Sequence, residues 1–468
     1  MTKKKFYITT PIYYVNDRPH IGHAYTTVAA DVLARWHKIQ GDKVFFLTGT
    51  DEHGAKIAAA ASAAGKSEKE FVDEKAQTFK EAWQEFNVSY DNFIRTTDSN
   101  HIQAVEKTLQ KLYDREFIYK GDYEGLYCVG CEQYKTKDDL IEGKCAEHNK
   151  EPILMKEESY FFKLSQFKKT LEKKISSDEF EIQPKERKNE VLSFIRRGLK
   201  DISISRKNVG WGIPLPFDKS YTTYVWVDAF LNYLTGAGWS GKTDSYPEMW
   251  PPEVQLMSKD ILRVHATIWP GILLAFGFPL PKKIFVHGYF TVNNQKMGKS
   301  LGNVIWPEEL IKKFGVDGAR YLLMSSLVSG QDSDISWGKL AEKYNADLAN
   351  GLGNLVSRVV KLNEGIGAKV GRKKTKIKNL DKLFKEIKLK EILDEIWQQV
   401  AWANKYIEEK KLWELVKTDP KEGKKVLENL ISLISGIGEV ISPFLPETSD
   451  KIKKILKTGK SKALFPRI

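Results

Sequence analysis

Two imidazoles stand close together near the amino terminus. His20 and His23 belong to the segment Arg18–His23, which follows the first predicted strand and opens the first long predicted helix. Imidazoles three residues apart lie on one side of a helix start, beside free backbone N–H groups and the positive end of the dipole, which suits a polyphosphate. Gly22 removes the side chain that would keep a flat ring such as adenine from the backbone. A polar helix cap without a ligand is the alternative.

Two lysines, far later in the chain, form a second candidate for phosphate chemistry. Lys296 and Lys299 belong to the sequence K-M-G-K-S, on a predicted loop rich in Gly and Asn. Such a loop can surround a pyrophosphate leaving group, where developing negative charge is best stabilised. In a chain with 74 Lys and Arg residues, a solvated lysine pair is the alternative.

Three cysteines and a histidine form two short metal-binding patterns. Cys128 and Cys131 form the first, and Cys145 and His148 form the second, with thirteen residues between them. Together they supply four ligands for a tetrahedral zinc ion in a structural knuckle. A C-x-x-C redox pair is the alternative, which the second pattern disfavours, and three cysteines cannot form a disulfide framework.

The elements that must position these residues predict an α/β fold with a Rossmann-type, doubly wound parallel sheet. Apolar Phe6–Ile12, a helical period through Gln40 and apolar Val44–Leu47 predict a strand, a helix and a strand. The cysteine region interrupts this rhythm, and from Tyr344 onward the pattern is helical. We therefore predict a catalytic domain at 1–115 and 226–290, an inserted zinc-knuckle domain at 116–225, a lysine-loop linking domain at 291–343 and an all-α bundle at 344–468.

Length and composition describe a folded chain of several domains. The 468 residues exceed one ordinary core, and 41% hydrophobic residues can fill several. No apolar run is long enough to cross a bilayer, and the first residues lead directly into a strand-like segment, so we expect a cytoplasmic protein. Residues 369–468 contain 24 basic and 14 acidic residues and so carry +10 of the total +13. This charge predicts a polyanionic partner, and a lysine-rich soluble surface is an equal alternative.

The histidine segment and the lysine loop together, on one α/β framework, resemble the ATP signatures of class I aminoacyl-tRNA synthetases. Thr10–Asn16, Leu47–Gly54 and Val225–Ala229 resemble the methionine-specific members, and the resemblance spans almost the whole chain. It implies a methionine–tRNA ligase, which forms methionyl-adenylate and pyrophosphate from methionine and ATP. The methionyl group would then pass to the terminal ribose of tRNA(Met), the initiator included.

The resemblance also implies roles for individual residues. In the ATP site, His20 and His23 would contact the phosphates, Gly22 the adenine and Asp260 the ribose, while Lys296 and Lys299 would close over pyrophosphate with Mg²⁺. Asp51 would hold the methionine ammonium. The amino-acid pocket would be lined by Ile12, Tyr14, Trp226, Ala229, Tyr233, Ile261 and His265.

A soft thioether makes this pocket physically reasonable. Aromatic walls such as Tyr14 and Trp226 make favourable sulfur contacts of about 0.3–1.5 kcal/mol. Taken singly, ordinary core packing would explain Trp226, Tyr233 or Ile261. Three positions depart from the family pattern: Phe230 stands where proline is common, Ser258 replaces a glycine, and Gly298, which should loosen the lysine loop, replaces a serine.

Three residues of the predicted bundle resemble the family's anticodon readers. The amide of Asn354 and the guanidinium of Arg358 can hydrogen-bond unpaired base edges, and the indole of Trp413 can stack on a base for about 1–3 kcal/mol. For Trp397 and Trp402 we favour core packing.

Two other functions stay open from the sequence. A synthetase for leucine, valine or cysteine would share the ATP signatures, and a tRNA-binding or assembly protein could have lost activity. The intact histidine and lysine pairs disfavour the latter. Many relatives continue into a dimerising tRNA-binding barrel that this sequence lacks, so we expect a monomer.

Overall fold

The computed structural model describes residues 4–130, 133–135, 140–146, 149–207, 209–297, 302–327, 330–370, 379–460 and 463–468. Its strands, in chain order, are β1 (Lys5–Thr9), β2 (Tyr13–Tyr14), β3 (Lys43–Asp51), β4 (Asn92–Arg95), β5 (Ile118–Cys128), β6 (Gln133–Lys135), β7 (Leu140–Ile141), β8 (Lys144–Cys145), β9 (Ile153–Phe162), β10 (Glu181–Gln183), β11 (Ile202–Ser203), β12 (Ser205–Arg206), β13 (Pro214–Leu215), β14 (Asp218–Thr223), β15 (Val254–Ser258), β16 (Lys283–His287), β17 (Phe290–Val292), β18 (Gln295–Lys296) and β19 (Ser333–Ile335).

The α-helices, in chain order, are α1 (Ile21–Ile39), α2 (Ala55–Ala63), α3 (Glu68–Glu85), α4 (Ser99–Asp114), α5 (Lys168–Ser176), α6 (Lys185–Arg197), α7 (Val225–Phe230), α8 (Asn232–Thr235), α9 (Leu262–Phe276), α10 (Pro307–Ser326), α11 (Trp337–Lys343), α12 (Asn354–Leu362), α13 (Leu380–Lys385), α14 (Leu389–Glu409), α15 (Leu412–Thr418), α16 (Pro420–Val440) and α17 (Pro446–Thr458). Two 3₁₀ helices lie at Leu164–Phe167 and Lys259–Ile261, and a π-helix at Tyr344–Gly353 leads directly into α12.

A parallel sheet of seven strands forms the centre of the molecule. Its order is β10-β16-β15-β1-β3-β2, with β4 also paired to β3, and the pairs are parallel. Tyr7 and Ile8 of β1 are fully buried, as expected for a central strand with both faces covered. The chain turns from β1 to β3 on one side and reaches β15 on the other. Ligands of such sheets bind where the strand order reverses, at the carboxyl ends of the strands. The Rossmann-like part of the predicted fold is confirmed.

The segment between β4 and α7 forms smaller antiparallel sheets. One has the order β11-β9-β5-β6, a second has the order β12-β14-β13, and β7 pairs with β8. Within the same segment, β10 joins the central parallel sheet by pairing with β16. The predicted domain bounds stay predictions, and β10 lies within the range 116–225 that we predicted as an insertion.

The carboxyl-terminal part is helical, as predicted. One predicted helix is interrupted: the periodic stretch Lys382–Glu408 is divided between α13 and α14, because Ile387 has a φ of 55°. The prediction of core packing is wrong for Trp402, which is 56% exposed and stacks on Tyr406, with ring centroids 5.0 Å apart. Trp397 is partly buried and donates its indole N–H to the carbonyl of Asp347 at 2.9 Å.

A buried ion pair connects the helical part to the parallel-sheet part. Arg320 of α10 is fully buried and donates to Asp31 of α1 at 2.7 Å. The same guanidinium donates to the backbone carbonyls of Phe86, Pro443 and Phe444. Because a buried guanidinium needs these acceptors, it fixes α10 between the two parts. None of the described helices is long and apolar enough to span a membrane.

Candidate active site

One cavity of about 570 Å³ opens at the carboxyl ends of β1 and β15, where the strand order of the sheet reverses. It brings together residues from both ends of the parallel-sheet region. The predicted ATP residues that line it are His20, Gly22, His23 and Asp260. The predicted methionine residues that line it are Ile12, Tyr14, Asp51, Trp226, Ala229, Tyr233, Ile261 and His265.

The histidine pair forms the amino-terminal cap of α1. Nδ1 of His20 accepts a hydrogen bond from the backbone N–H of Gly22 at 3.0 Å, and Nδ1 of His23 accepts one from the backbone N–H of His20 at 3.2 Å. The two rings stack, with centroids 3.8 Å apart. An imidazole whose Nδ1 accepts a hydrogen bond carries its proton on Nε2. Each ring therefore keeps an Nε2–H donor.

The charge state of His23 follows from its surroundings. Burial and the neighbouring His20 lower the pKa of His23 well below its ordinary value. His23 is thus a neutral hydrogen-bond donor at physiological pH. The start of α1 adds the positive end of its dipole to this end of the cavity, while its N–H groups of Ile21 and Gly22 already donate to the carbonyl of Ile305 and to Nδ1 of His20.

Gly22 has a structural role that the sequence did not indicate. A Cβ added to Gly22 would lie 2.8 Å from Cε1 and 3.0 Å from Nδ1 of His20. Contacts this short push a side chain away. The glycine therefore allows the His20 ring to fold back over the helix start and stack on His23.

The opposite end of the cavity contains a buried tyrosine–histidine pair. Nδ1 of His265 donates to the carbonyl of Ile261 at 2.9 Å, so its Nε2 must accept, and the hydroxyl of Tyr233 donates to it at 2.8 Å. Burial lowers the pKa of His265 to about 4 and raises the pKa of Tyr233 far above its ordinary value. Both groups are neutral at physiological pH, and the Tyr233 oxygen keeps lone pairs for a weak polar contact.

Aromatic rings form the wall beside this pair. Trp226 and Phe230 lie on the short helix α7, with ring centroids 5.7 Å apart, and each ring is at 87° to the ring of His265. Phe230 is buried and lines the cavity. The position that departs from the family pattern thus adds a bulky ring to the pocket.

Asp51 brings a carboxylate to the same pocket. It is the last residue of β3 and is only 9% exposed, and it pairs in register with Tyr14 of β2. Asp260 lies at the other side, in the 3₁₀ helix that follows β15, where it accepts a hydrogen bond from the hydroxyl of Ser258.

Only the first residues of the lysine loop, Lys296 and Met297, are described. The backbone of Lys296 ends β18, and Met297 lines the cavity. Lys299 and Gly298 lie outside the described residues.

Arg18 and Trp306 are among the lining residues to which the sequence analysis gave no role. The guanidinium carbon of Arg18 lies 3.8 Å from the ring centroid of Trp306, and Arg18 also forms an ion pair with Glu308 at 2.5 Å. This contact joins the histidine segment to the chain that follows the lysine loop. Its sequence signal was a tryptophan directly after that loop, next to Pro307.

Comparisons with known proteins match this chain to one family over nearly its whole length. A family model described as tRNA synthetases class I (M) matches residues 6–151 and 131–360, and a model of the anticodon binding domain of methionyl tRNA ligase matches residues 364–466. A methionine–tRNA ligase of Caldanaerobacter subterraneus subsp. tengcongensis is 44% identical, over 96% of this chain and 73% of the relative. One of Clostridium acetobutylicum is 42% identical, over the whole chain and 78% of the relative.

The chain belongs to the methionine-specific class I tRNA synthetases. A solved structure of the Mycobacterium tuberculosis methionyl-tRNA synthetase in complex with methionyl-adenylate superposes with a TM-score of 0.92 at 33% identity, covering 99% of this chain and all of that one. Family membership makes the chain an aminoacyl-tRNA synthetase, and it fixes methionine as the amino acid among the alternatives that the sequence left open.

The residues that resemble the family's anticodon readers lie on two helices of the bundle. Asn354 and Arg358 are one turn apart on α12 and both contact α14: Nδ2 of Asn354 donates to Asn404 at 3.2 Å, and Arg358 pairs with Glu408 at 2.8 Å. Trp413 lies on α15, which packs against α12, and is 37% exposed. Asn354 and Arg358 precede the stretch that the anticodon-domain model matches, and Trp413 lies within it.

The zinc ligands predicted from the family pattern are described only in part. Cys128 ends β5 and Cys145 ends β8, and both are buried. Cys131 and His148 lie outside the described residues, and no cluster of three or more metal-binding side chains occurs among the described ones. Two buried thiols at the ends of β5 and β8 are compatible with a soft metal ion.

Proposed function

We propose that this cavity activates methionine with ATP and then charges tRNA(Met), the initiator included, with His20, His23, Lys296 and Lys299 acting on the phosphates. The observation that carries the proposal is that a single cavity is lined by the histidine pair at one end and by the whole predicted methionine pocket at the other. A shared cavity is required, because the amino acid and the nucleotide must react with each other.

In the first step a carboxylate oxygen of methionine attacks the α-phosphorus of ATP. An oxygen–phosphorus bond forms to give methionyl-adenylate, and the bond to the β-phosphate oxygen breaks, so that pyrophosphate leaves with its electron pair. In the second step a hydroxyl of the terminal ribose of tRNA attacks the methionyl carbonyl, and AMP leaves. Neither step needs a covalent enzyme nucleophile, so positioning and charge stabilisation supply the catalysis.

The protein groups act where charge develops. The Nε2–H groups of His20 and His23 donate to phosphate oxygens, and the start of α1 adds its dipole. Gly22 leaves room for adenine, and Asp260 binds the ribose hydroxyls. Lys296 and Lys299 approach the departing pyrophosphate. Magnesium bound to the ATP substrate would neutralise part of the phosphate charge.

Methionine would lie between Asp51 and the aromatic wall. The carboxylate of Asp51 holds the ammonium group, while Trp226 and Tyr14 contact the thioether. The hydroxyl of Tyr233, whose proton is donated to Nε2 of His265, can direct an oxygen lone pair toward the thioether. Ile12, Ala229 and Ile261 close the remaining surface by apolar contact.

The bundle would recognise the anticodon. Trp413 is exposed enough to stack on an unpaired base, and Asn354 with Arg358 can turn from α14 toward base edges. Trp413→Ala should weaken tRNA aminoacylation by roughly 5- to 100-fold and leave pyrophosphate exchange unchanged. Loss of both activities together would instead make Trp413 structural. Trp402→Ala is the matched control, since that indole is exposed on a different helix, α14.

A structural zinc ion would be held by Cys128, Cys131, Cys145 and His148. When bound, it would fix the loops of the antiparallel insertion and take no part in the chemistry. Elemental analysis of the purified chain should find one zinc per molecule, and Cys145→Ser should release it. A zinc-free preparation with full activity and an unchanged melting temperature would refute this site.

The deciding experiment is methionine-dependent exchange of pyrophosphate into ATP by the purified chain. Leucine, valine, cysteine and isoleucine serve as competing amino acids. Exchange with methionine far above the others is expected, because one missing methylene or branch already changes binding by about 1–3 kcal/mol. Equal exchange with leucine, or no exchange with any amino acid, would contradict the proposal.

A further inference from the structure

A buried carboxylate behind the methionine pocket is bound by two histidines. Oδ2 of Asp228 lies 2.7 Å from Nδ1 of His53, and Oδ1 lies 2.8 Å from Nε2 of His101. The three residues are at most 4% exposed, and none of them lines the cavity. The catalytic proposal above uses none of them.

Protons in this cluster are assigned by elementary chemistry. An ionised carboxylate can only accept hydrogen bonds, so both facing imidazole nitrogens carry their protons. Burial alone would raise the pKa of Asp228, but the two histidines outweigh it and lower the pKa to about 2. Asp228 is therefore ionised throughout the physiological range, and each of its oxygens has one fixed donor.

Asp228 and His53 belong to segments that build different sides of the methionine pocket, and His101 lies on α4, which contributes no lining residue. Asp228 lies on α7, between the pocket residues Trp226 and Ala229. His53 follows Asp51 by two residues, at the end of β3. His101 also contacts the hydroxyl of Thr235 at 2.8 Å.

A second polar layer fixes the chain around His53. Arg95 donates twice to Glu52, at 2.7 and 2.9 Å. The indole of Trp211 donates to the carbonyl of Glu52 at 2.5 Å, and its ring packs edge-on against His53. These bonds fix the segment that carries His53. The bond from His53 to Asp228 therefore positions α7 relative to this fixed segment. With only six residues and no side-chain cap, α7 has few internal bonds of its own.

We infer that Asp228 is a positioning residue for methionine: through His53 and His101 it fixes Trp226 and Ala229 at one distance from Asp51. The inference rests on the proposed function, because it assumes that Asp51 holds the ammonium group and that Trp226 contacts the side chain. A fixed distance between these two contacts selects an amino acid by its length. The ATP residues lie on other elements, the start of α1 and the 3₁₀ helix after β15, and do not depend on this cluster.

The test is steady-state pyrophosphate exchange with Asp228→Asn and, separately, with His101→Gln. The asparagine keeps the shape of the side chain but offers one acceptor to two donors, so that one bond is lost. The KM for methionine should rise roughly tenfold, while the KM for ATP changes less than twofold. The preference for methionine over ethionine, whose side chain is one methylene longer, should fall several-fold, because Trp226 is no longer held at one distance from Asp51.

The double variant separates a coupled cluster from two independent effects. If His101 acts only through Asp228, Asp228→Asn with His101→Gln should raise the KM for methionine no more than Asp228→Asn alone. Asp42→Asn is the matched control: Asp42 pairs with His37 at 2.7 Å near the end of α1, and neither residue lines the cavity. That control should leave both KM values unchanged.

Each result bears on the inference. A lower melting temperature with both KM values unchanged would show a purely structural cluster and overturn it. Equal rises in both KM values would overturn it as well. If Asp228→Asn does not fold, His101→Gln decides by the same measurement. The wild-type chain distinguishes failure of the proposed function from failure of this inference. If the wild type has no methionine-dependent exchange, the proposed function is refuted. If the wild type is active and the variants have the same KM values as the wild type, only the role of Asp228 is refuted.

Discussion

The hydrogen bond between His20 and His23 spans three residues, whereas the bond between Tyr233 and His265 spans 32 and the bond between His53 and Asp228 spans 175. The first bond lies at the phosphate end of the cavity, the second at its methionine end, and the third behind the methionine end. At the phosphate end, both histidine donors are built by the cap of a single helix, α1. The methionine end is assembled from the ends of β2 and β3, from α7 and α8, and from the start of α9.

This difference has a physical consequence. The donors of the phosphate end are fixed by backbone geometry within one turn, so that only a local substitution should disturb them. The methionine end depends on buried side-chain bonds between distant segments, and a buried partner that is left unsatisfied costs about 1–3 kcal/mol. Substitutions at the phosphate end should therefore change mainly the rate of pyrophosphate exchange. Substitutions at the methionine end should change mainly the KM for methionine.

The largest effect is expected from His23→Ala. This change removes an Nε2–H donor from the phosphate end and leaves the methionine pocket intact. Loss of one preorganised donor to a developing anion commonly lowers kcat by about 10²–10³. We expect a fall of this size in the rate of pyrophosphate exchange, with the KM for methionine within about twofold of the wild-type value.

His37→Ala provides the control for this variant. His37 lies near the other end of α1, where it stacks on Phe6, with ring centroids 3.5 Å apart. A similar fall in both variants would mean that α1 is destabilised as a whole, and it would remove the proposed role of His23 in catalysis.

Tyr233→Phe should change the KM for methionine rather than kcat. The change removes the hydroxyl that donates to Nε2 of His265 and leaves that buried nitrogen unsatisfied, which costs about 1–3 kcal/mol. The KM for methionine should rise roughly tenfold and kcat should change little. Tyr246→Phe is the matched control, because Tyr246 is 47% exposed and does not line the cavity. A loss of kcat without a change in KM would contradict the division between the two ends.

The local end of the cavity is also the part that the sequence predicts best. The strand, helix and strand of the first fifty residues appear as β1, α1 and β3, and the histidine pair lies at the helix start where the sequence placed it, while its phosphate role stays a prediction. Apolar periodicity was sufficient there, since each element follows the previous one directly.

The distant contacts could not be predicted from local pattern. The bonds of His53 and His101 to Asp228 span 175 and 127 residues, and nothing in the spacing of these residues indicates them. The pocket residues came from resemblance to a family rather than from periodicity. Trp402 shows the same limit, since its helix was predicted but the side that faces solvent was not.

The histidines whose pKa is lowered in the fold, His23, His265 and His287, should make the fold less stable in mild acid. Burial lowers the pKa of His265 to about 4 and that of His23 well below its ordinary value. The unfolded chain, with histidine pKa values near 6.5, then binds more protons than the folded chain at pH 5–6. The free energy of unfolding should therefore rise with pH across this interval, by about 1.4 kcal/mol per pH unit for each histidine.

Urea denaturation at pH 5.0, 5.5 and 6.0 measures this slope. Carboxylates also titrate nearby, so the informative quantity is the difference between the wild type and His265→Asn. That variant should have a shallower slope by about one histidine, or roughly 1.4 kcal/mol per pH unit. An unchanged slope would mean that His265 is not buried in its neutral form.

The smallest effect is expected from Gly22→Ala. This change tests whether the phosphate end still works when the His20 ring leaves its stacked position. The new Cβ would lie 2.8 Å from Cε1 of His20, so the His20 ring must leave its stacked position. Since His23 keeps its own bond to the backbone N–H of His20, part of the phosphate end survives. We expect a fall in exchange rate of less than about tenfold, well below the effect of His23→Ala. Gly338→Ala on α11 is the control, because a Cβ there meets no atom within 4 Å. If Gly22→Ala is as inactive as His23→Ala, the space at Gly22 is as necessary for the exchange reaction as the Nε2–H donor of His23. The prediction that part of the phosphate end survives would then be wrong.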